Sequence, residues 1–439
     1  MKPAAGGEEL LQAKGDEVNR PQEELMEAVL AKENLRAAWL QVKANDGAAG
    51  IDGMDVGRTK EHLRMHWEQI EAKLWEGKYQ PAGVRVVEIP KRQGGTRTLG
   101  IPTVTDRLIE QAFGQVLSAI WEPHFSEHSY GFRPGRSAHD AVRAAQGYVS
   151  EGKEWVVDVD LKNFFDQVDH DILMRMVAER VRDKRVLKLI GRYLRAPMVQ
   201  GRSEQVRVKG TPQGGPLSPL LANVYLDAFD KELERRGLSF VRYADDIAIY
   251  VSSPRAAERI LESVIEWLRK ELKLEVNREK SGSGPTDQSS LLGFRIDRRS
   301  EVSVAPKAIA KLKSRVRECW RSCQSKTSNQ LRDQWKQYIE GWWAYFRIAT
   351  SVRTVKDLSP WIRRHIRKCF WLRWHSIAGR YNALRKLGVG GRGLLIAQSS
   401  SKAWRMAING QVHTALSNRT LQRYGLVLPW EIAAPSSSR

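Results

Sequence analysis

The hydrophobic pattern of the chain changes near Pro306. Before that residue, apolar runs with the alternation of strands separate stretches that have the spacing of helices. After it, apolar residues recur only at helical intervals, as in the stripe Ile309, Leu312, Val316 and Cys319. This change predicts an α+β region built on one sheet, followed by an all-α region.

The distribution of charge changes near the same place. Residues 1–306 contain 46 Lys and Arg and 46 Asp and Glu, whereas residues 307–439 contain 26 and 5. The net charge of +21 therefore belongs to the C-terminal third, which also has nine of the fifteen tryptophans. Basic side chains interleaved with aromatic ones are typical of nucleic-acid binding, so we expect that partner. Most of the aromatic side chains are nevertheless expected to form the core between the helices.

The composition excludes several classes of protein. No run of about 18 apolar residues occurs, so we expect no membrane-spanning segment. The first residues lack the apolar core of a signal peptide, so export is not expected. Three cysteines are too few for a disulfide framework and fit a reducing cytoplasm.

Composition and predicted elements divide the chain into five segments. These are a disordered N-terminus (1–22), an extension with helices and a glycine-rich loop (23–80), the α+β region (81–305), the helical region (306–407) and a short basic C-terminal segment (408–439). The last segment is where we expect any DNA-binding part of the chain to lie. In the extension, the spacing of Leu25, Val29, Leu30 and Leu40 predicts one amphipathic helix over 23–44.

Acidic residues follow apolar runs at two places in the α+β region. Asp158 and Asp160 end a predicted strand, in which alternation puts both side chains on one face. Asp245 and Asp246 lie between two apolar runs, which predict the strands of a hairpin. Because adjacent carboxylates repel each other, such a turn favours a bound cation. Ligands that are all oxygen atoms suit Mg²⁺, and two such ions can promote in-line displacement at phosphorus.

At these motifs the sequence resembles the reverse transcriptases, and among them the proteins encoded by group II introns. Tyr243-Ala244-Asp245-Asp246 is similar to the central motif of the family, and residues 160–166 to its first metal-binding motif. Further blocks follow the family's order, at 34–53, 89–102, 129–137, 211–219, 277–281 and 292–294. In the basic helical region, 341–347 and 361–364 look like the maturase thumb, or X domain.

The resemblance implies a right-hand polymerase fold, in which fingers and a palm with an antiparallel sheet precede an all-α thumb. It implies RNA-dependent DNA synthesis, in which deoxynucleoside triphosphates are added to a primer 3′-hydroxyl with two Mg²⁺ ions, or Mn²⁺ as a substitute. The implied partners are group II intron RNA, an RNA template, and a DNA primer or target DNA. The implied setting is the bacterial cytoplasm, where such a protein supports splicing and retrohoming.

The resemblance also implies roles for individual residues. The catalytic residues are Asp160, Asp245 and Asp246, and the metal ligands are the same three with Leu161. The nucleotide-binding residues are Lys91, Arg97, Leu161, Phe165, Gln213 and Lys280. The residues that contact primer or template are Tyr243, Gly214 and Arg133. In these roles Phe165 would exclude a ribose 2′-hydroxyl, and Lys280 would protonate the leaving pyrophosphate.

Other functions remain open. A retron-like, domesticated or defence-associated reverse transcriptase would share the palm but should lack the long basic thumb. A splicing cofactor could bind intron RNA without polymerising, although the retained acidic residues argue against this. An RNA polymerase is disfavoured by Phe165. Because no cysteine follows Cys369, we do not expect the Cys/His-rich endonuclease of many family members, and the length resembles the compact bacterial IIC class.

Overall fold

The computed structural model describes residues 24–90, 96–201, 203–321 and 325–432. Within these ranges the chain forms two compact units. The first comprises the described residues up to Ala145 together with Trp155–Gly284, and the second comprises Gln146–Glu154 with the described residues from Pro285 onward. The predicted N-terminal segment 1–22 and Lys91 lie outside the described residues, and the five predicted segment boundaries stay predictions.

The helices before residue 285 alternate with strands, as the sequence predicts. They are α1 (Leu25–Leu30), α2 (Lys32–Asn45), α3 (Val56–Trp75), α4 (Val104–Trp121), α5 (Ala138–Ser150), α6 (Phe164–Gln167), α7 (His170–Ala178), α8 (Lys184–Arg195), α9 (Ser218–Arg235) and α10 (Pro254–Glu271). Several begin at a side chain that accepts a backbone hydrogen bond. Asp55, Thr103 and Ser253 cap α3, α4 and α10 in this way.

The prediction of one helix over 23–44 is wrong, because the chain breaks at Ala31. Ala31 has φ −56° and ψ 136°, which is not a helical conformation, so it separates α1 from α2. Because of this break, the apolar residues on the two sides of Ala31 do not form one continuous helix face. Leu40, which was predicted to lie on that face, is 57% exposed. The residues that α2 buries are Ala38 and Val42.

Two four-stranded sheets lie in this part of the chain. The first has the order β2-β1-β4-β5, from the strands β1 (Val84–Pro90), β2 (Thr96–Ile101), β4 (Met198–Gln200) and β5 (Ser203–Gln205). The second has the order β6-β7-β3-β8, from β3 (Trp155–Asp160), β6 (Ser239–Tyr243), β7 (Asp246–Val251) and β8 (Gly282–Pro285). Both predicted hairpins form, because β1 pairs with β2 and β6 with β7, each antiparallel. The strand predicted near 274–277 is reduced to a single bridge between Val276 and Leu161.

One hydrophobic core joins the second sheet to the helices of the first unit. Val157 and Val159 of β3 belong to this core, together with Phe240 of β6 and Ile249 of β7. Since side chains alternate along a strand, Asp158 and Asp160 lie on the other face of β3. The core thus fixes which face of β3 carries the two carboxylates.

The described part of the second unit from Gly293 onward consists of helices, loops and one short sheet, in which β9 (Phe294–Ile296) and β10 (Val302–Val304) pair antiparallel. Its helices are α11 (Pro306–Cys319), α12 (Ser328–Phe346), α13 (Arg353–Lys356), α14 (Ser359–Arg373), α15 (Ile377–Lys386), α16 (Ala403–Met406), α17 (Gly410–Ala415) and α18 (Asn418–Arg423). Trp320, Trp335 and Trp371 are fully buried, as predicted for helix-core aromatics. No described helix has both the length and the apolar character that crossing a membrane requires.

The described residues after 408, up to Ile432, pack onto this helical core. The Trp335 indole N–H donates to the Val427 carbonyl at 2.8 Å, and Arg367 Nε donates to the Leu416 carbonyl at 2.9 Å. Leu421 and Leu428 are buried. The inner faces of these short helices are therefore structural, and the DNA-binding role expected for 408–439 stays a prediction.

Candidate active site

The carboxylates that the sequence singled out meet at one end of the second sheet. In the register of β3 and β7, Asp160 lies opposite Asp246. In the register of β6 and β7, Tyr243 also lies opposite Asp246, which leaves Ala244 and Asp245 as the two residues of the turn. The fold thus brings together acids that are far apart in the sequence.

The turn between β6 and β7 is held in a backbone conformation that is uncommon for alanine. Ala244 has φ 58°, and the left-handed region costs a residue with a Cβ roughly 1–2 kcal/mol. Arg242 Nη1 donates to the Ala244 carbonyl at 3.1 Å. On another side Gly131 approaches so closely that a Cβ there would lie 2.3 Å from the Ala244 nitrogen. These contacts define the position of the acidic turn.

A buried ion pair supports the turn from the interior. The side chains of Arg242 and Asp230 have no solvent exposure, and Arg242 Nε lies 2.7 Å from Asp230 Oδ1. Arg242 Nη1 also donates to Asn223 Oδ1 at 2.9 Å, and Asn223 Nδ2 donates to the Gly131 carbonyl at 2.9 Å. The pair therefore connects α9, β6 and the loop that contains Gly131. Sequence reasoning did not identify this network.

The electrostatics of the cluster fit a bound cation. Asp246 is partly exposed, but the protein around it displaces water from its carboxylate. This desolvation is the largest cause of the raised pKa of Asp246. The negative charges of Asp245, Asp160 and Asp158 add to it, and the pKa reaches about 6. In the described part of the chain, no group of three or more His, Cys, Asp or Glu residues is already arranged as a metal site. The donors present are all carboxylate oxygens, which fit Mg²⁺ or Mn²⁺.

A second segment supports the end of β3. Ser281 Oγ accepts from the Asp160 amide at 2.8 Å, and the Asn277 amide donates to the Asp160 carbonyl at 2.8 Å. Lys280 lies between these two residues in sequence, and its Nζ is 4.0 Å from Asp160 Oδ2. Lys280 therefore lies beside the Asp160 carboxylate, and its predicted role stays a prediction.

A cavity of about 480 Å³ lies in the first unit, and its lining includes Phe165, Gln213 and Gly214. Phe164 is buried in the core, whereas Phe165 is half-buried and faces this space. Gly214 has φ 134°, and a Cβ there would lie 2.5 Å from the Gly100 carbonyl oxygen. The Gly100 amide also donates to the Gln213 carbonyl at 2.9 Å, so the loop is fastened to β2.

The structure changes the expectation for Arg133. Its side chain is 3% exposed and forms two hydrogen bonds with Glu122 Oε1, from Nη2 at 2.7 Å and Nε at 3.0 Å. Nη1 donates to the carbonyls of Ser126 and Ser129. The guanidinium therefore has no surface for a primer or template, and we correct its role to a structural one.

The remaining predicted residues occupy different environments. Tyr243 is half-buried at the start of the turn. The Leu161 side chain is 5% exposed in the core, so only its backbone could reach a metal or nucleotide. The Arg97 backbone pairs with Ile89, but its side chain, like all of Lys91, lies outside what the structure describes.

Two family models match the chain in succession. The model "Reverse transcriptase (RNA-dependent DNA polymerase)" matches residues 89–296, and the model "Group II intron, maturase-specific domain" matches residues 309–388. Protein YkfC of Escherichia coli (strain K12) is 33% identical over 270 residues, which cover 53% of this chain and 71% of that protein. The chain belongs to the group II intron reverse transcriptases and maturases. This finding confirms the predicted family and fold class.

Two further matches of this reverse transcriptase/maturase are a curated relative and a solved structure. The Group II intron-encoded protein LtrA of Lactococcus lactis subsp. cremoris is 36% identical over 209 residues, or 47% of this chain and 34% of that protein. A solved structure of telomerase from Candida albicans is 12% identical and covers 85% of this chain and 71% of that one, with a TM-score of 0.47. The chain thus spans most of YkfC but about a third of LtrA.

Proposed function

We propose that this protein is an RNA-dependent DNA polymerase encoded by a group II intron. It adds deoxynucleoside triphosphates to a DNA primer on an RNA template, and it binds intron RNA to assist splicing and retrohoming. The observation that carries the proposal is the strand register that sets Asp160 opposite Asp246, next to the turn that bears Asp245. Membership of the family supports the same reaction.

Asp160, Asp245 and Asp246 would hold the divalent cations, Mg²⁺ with Mn²⁺ as a substitute, and the Leu161 carbonyl is the proposed backbone ligand. The chemistry that such ions supply in this class of reaction is activation of the attacking hydroxyl and stabilisation of the leaving oxygen. The carboxylates position that charge at the strand ends. Lys280, beside Asp160, is the proposed proton donor to the leaving pyrophosphate.

The cavity next to Phe165 is the proposed nucleotide site. The half-buried ring would lie against the sugar and exclude a ribose hydroxyl, while Gln213 and Gly214 would contact the base pair. Lys91 and Arg97 are the proposed triphosphate ligands, and Tyr243 the proposed contact of the primer end. We propose the bacterial cytoplasm as the setting, where the buried thiols of Cys319 and Cys369 would stay reduced.

One variant separates the two parts of the proposal. Asp245→Asn removes one charge from the metal-binding carboxylates but leaves the helical unit unchanged. We expect it to abolish Mg²⁺-dependent extension of a primer on an RNA template by purified protein, while splicing of the cognate intron RNA at low Mg²⁺ stays faster with the variant than without protein.

The matched control is Asp171→Asn, the same chemical change at an exposed position of α7. It should leave both activities at the wild-type level. Full DNA synthesis by Asp245→Asn, or equal incorporation of ribonucleotides by the wild type, would contradict the site assignment. No effect of the wild-type protein on splicing would leave only the polymerase.

A further inference from the structure

A buried carboxyl group lies beneath the loop that forms one wall of the nucleotide cavity. Glu110, on α4, is 2% exposed. It accepts a hydrogen bond from the Leu217 amide, and its Oε2 has no hydrogen-bond partner among the described residues. Burial, and then the charge of Asp106, raises the pKa of Glu110 to about 8. Below that pH the group is a neutral acid, which the buried site tolerates far better than an anion.

The loop rests directly on this carboxyl group. A Cβ at Gly215 would lie 2.3 Å from Glu110 Oε2, and the three atoms nearest to that position all belong to Glu110. Gly214 and Gly215 both line the cavity. The far end of the loop is closed by Ser218 Oγ, which donates to the Pro212 carbonyl at 2.6 Å. Glu110 therefore supports the middle of a loop whose two ends are fixed elsewhere.

Charged and titratable groups face Glu110 from several elements. Asp106 and Arg107 come from α4 itself, and Arg207 from the segment before the loop. Tyr193 comes from α8, and Tyr79 from the segment that follows α3. Burial lowers the pKa of both Arg107 and Arg207, and Arg207 Nη1 is buried without a hydrogen-bond partner in the described part of the chain. Ionisation of Glu110 would attract these guanidinium groups or water, and either response would displace Gly215.

We propose that Glu110 is a positioning residue for nucleotide binding, and that its protonated carboxyl supports the Gly214–Gly215 wall of the cavity. It touches no reacting atom and acts through the loop that carries Gln213. Loss of its proton moves the loop and weakens the site for the incoming nucleotide. The inference rests on the proposed polymerase function and deepens it by naming what controls the affinity of that site.

The test compares wild type with Glu110→Gln, which is neutral at every pH. The full chain extends a primer on an RNA template between about pH 6.5 and pH 9, and kcat and KM for deoxynucleotide are measured separately. For the wild type we expect KM to rise roughly fivefold between about pH 8 and 9, as the protonated fraction falls, with a smaller change in kcat. Glu110→Gln should keep the low KM and lose this rise. Glu68→Gln, an exposed control on α3, should keep the wild-type profile.

A second pair of variants tests the contact by size. Gly215→Ala places a methyl group against the carboxyl oxygens, so KM should rise at every pH. Adding Glu110→Ala removes the clash, and the double variant should bind nucleotide better than Gly215→Ala alone. An unchanged alkaline rise in Glu110→Gln, or a wild-type KM in Gly215→Ala, would overturn the inference. No DNA synthesis by the wild type at neutral pH would instead contradict the polymerase proposal.

Discussion

Arg242 is the side chain that links the acidic turn to the interior. It directly precedes Tyr243, and its guanidinium reaches Asp230, Asn223 and the Ala244 carbonyl. A buried ion pair adds little net stability when compared with apolar residues of the same size. The pair instead fixes the geometry of this region, because the five N–H groups of the planar guanidinium hold several acceptors in defined positions.

At this scale we predict a large cost for breaking the pair from one side. Arg242→Met leaves the Asp230 carboxylate buried without its counter-charge, so the free energy of unfolding should fall by about 3–5 kcal/mol. The measurement is urea unfolding of the full chain. Arg242→Met with Asp230→Leu removes both charges and should recover much of the loss. A single variant as stable as wild type would refute the structural role assigned to the pair.

Single residues show where sequence reasoning succeeds and where it stops. Alternation along β3 predicted that Asp158 and Asp160 share a face, because strand geometry is local. The burial of Arg242 and Arg133 was not predictable in this way. Each finds its acid on another element, 12 and 11 residues away in sequence, and only the folded chain brings them together. For this reason the position of Arg133 in a family motif suggested a contact with primer or template, whereas in the structure its buried guanidinium pairs with Glu122.

At the scale of elements, two loops position separate parts of the candidate site. The loop around Gly131 packs on the turn between β6 and β7, and the loop around Gly214 packs on β2. The hairpins and the order of helices and strands followed from turn residues and periodicity. The break at Ala31 did not, because nothing in the local pattern favours an end there.

Gly131→Ala tests the contact between the first loop and the turn. The added methyl would lie 2.3 Å from the Ala244 backbone nitrogen, so the turn must move away. Because a small misplacement of catalytic groups can cost about 100-fold in rate, we expect kcat for primer extension to fall by roughly that factor. Gly147→Ala, on α5 with open space around the new Cβ, is the control and should retain wild-type kcat. Equal rates for the two variants would mean that the Gly131 contact does not position the turn.

At the scale of the whole molecule, charge is the feature that the sequence predicts best. Counting residues located the basic excess after residue 307 without knowledge of the fold. The count could not tell which aromatics are core. In the structure Trp320 and Trp335 are fully buried. Arg364 stacks on Trp404, with Cζ 4.0 Å from the centroid of the indole ring.

The basic excess predicts a strong dependence of RNA binding on salt. If the protein neutralises about six or more phosphates, its affinity for intron RNA should fall by about 10³-fold or more between about 50 and 200 mM monovalent salt. The measurement is a titration of labelled RNA with the full chain over this range. Asp245→Asn is the control variant. Removing one carboxylate from the active site should not change how steeply the RNA affinity falls with salt concentration. A nearly flat dependence would argue against a phosphate-dominated interface.

The hydrogen bond between Trp335 and Val427 has a practical consequence for handling the protein. The stretch up to Ile432 forms a wall of the helical core, because Trp335 and Arg363 of the helices bind Val427 and Glu431. A chain truncated at about residue 408 would lose Leu421 and Leu428, expose the apolar surface that they cover, and leave the Trp335 indole N–H without its acceptor. Such a chain is expected to aggregate. Purification tags and fusion partners at the C-terminal side therefore belong after residue 432.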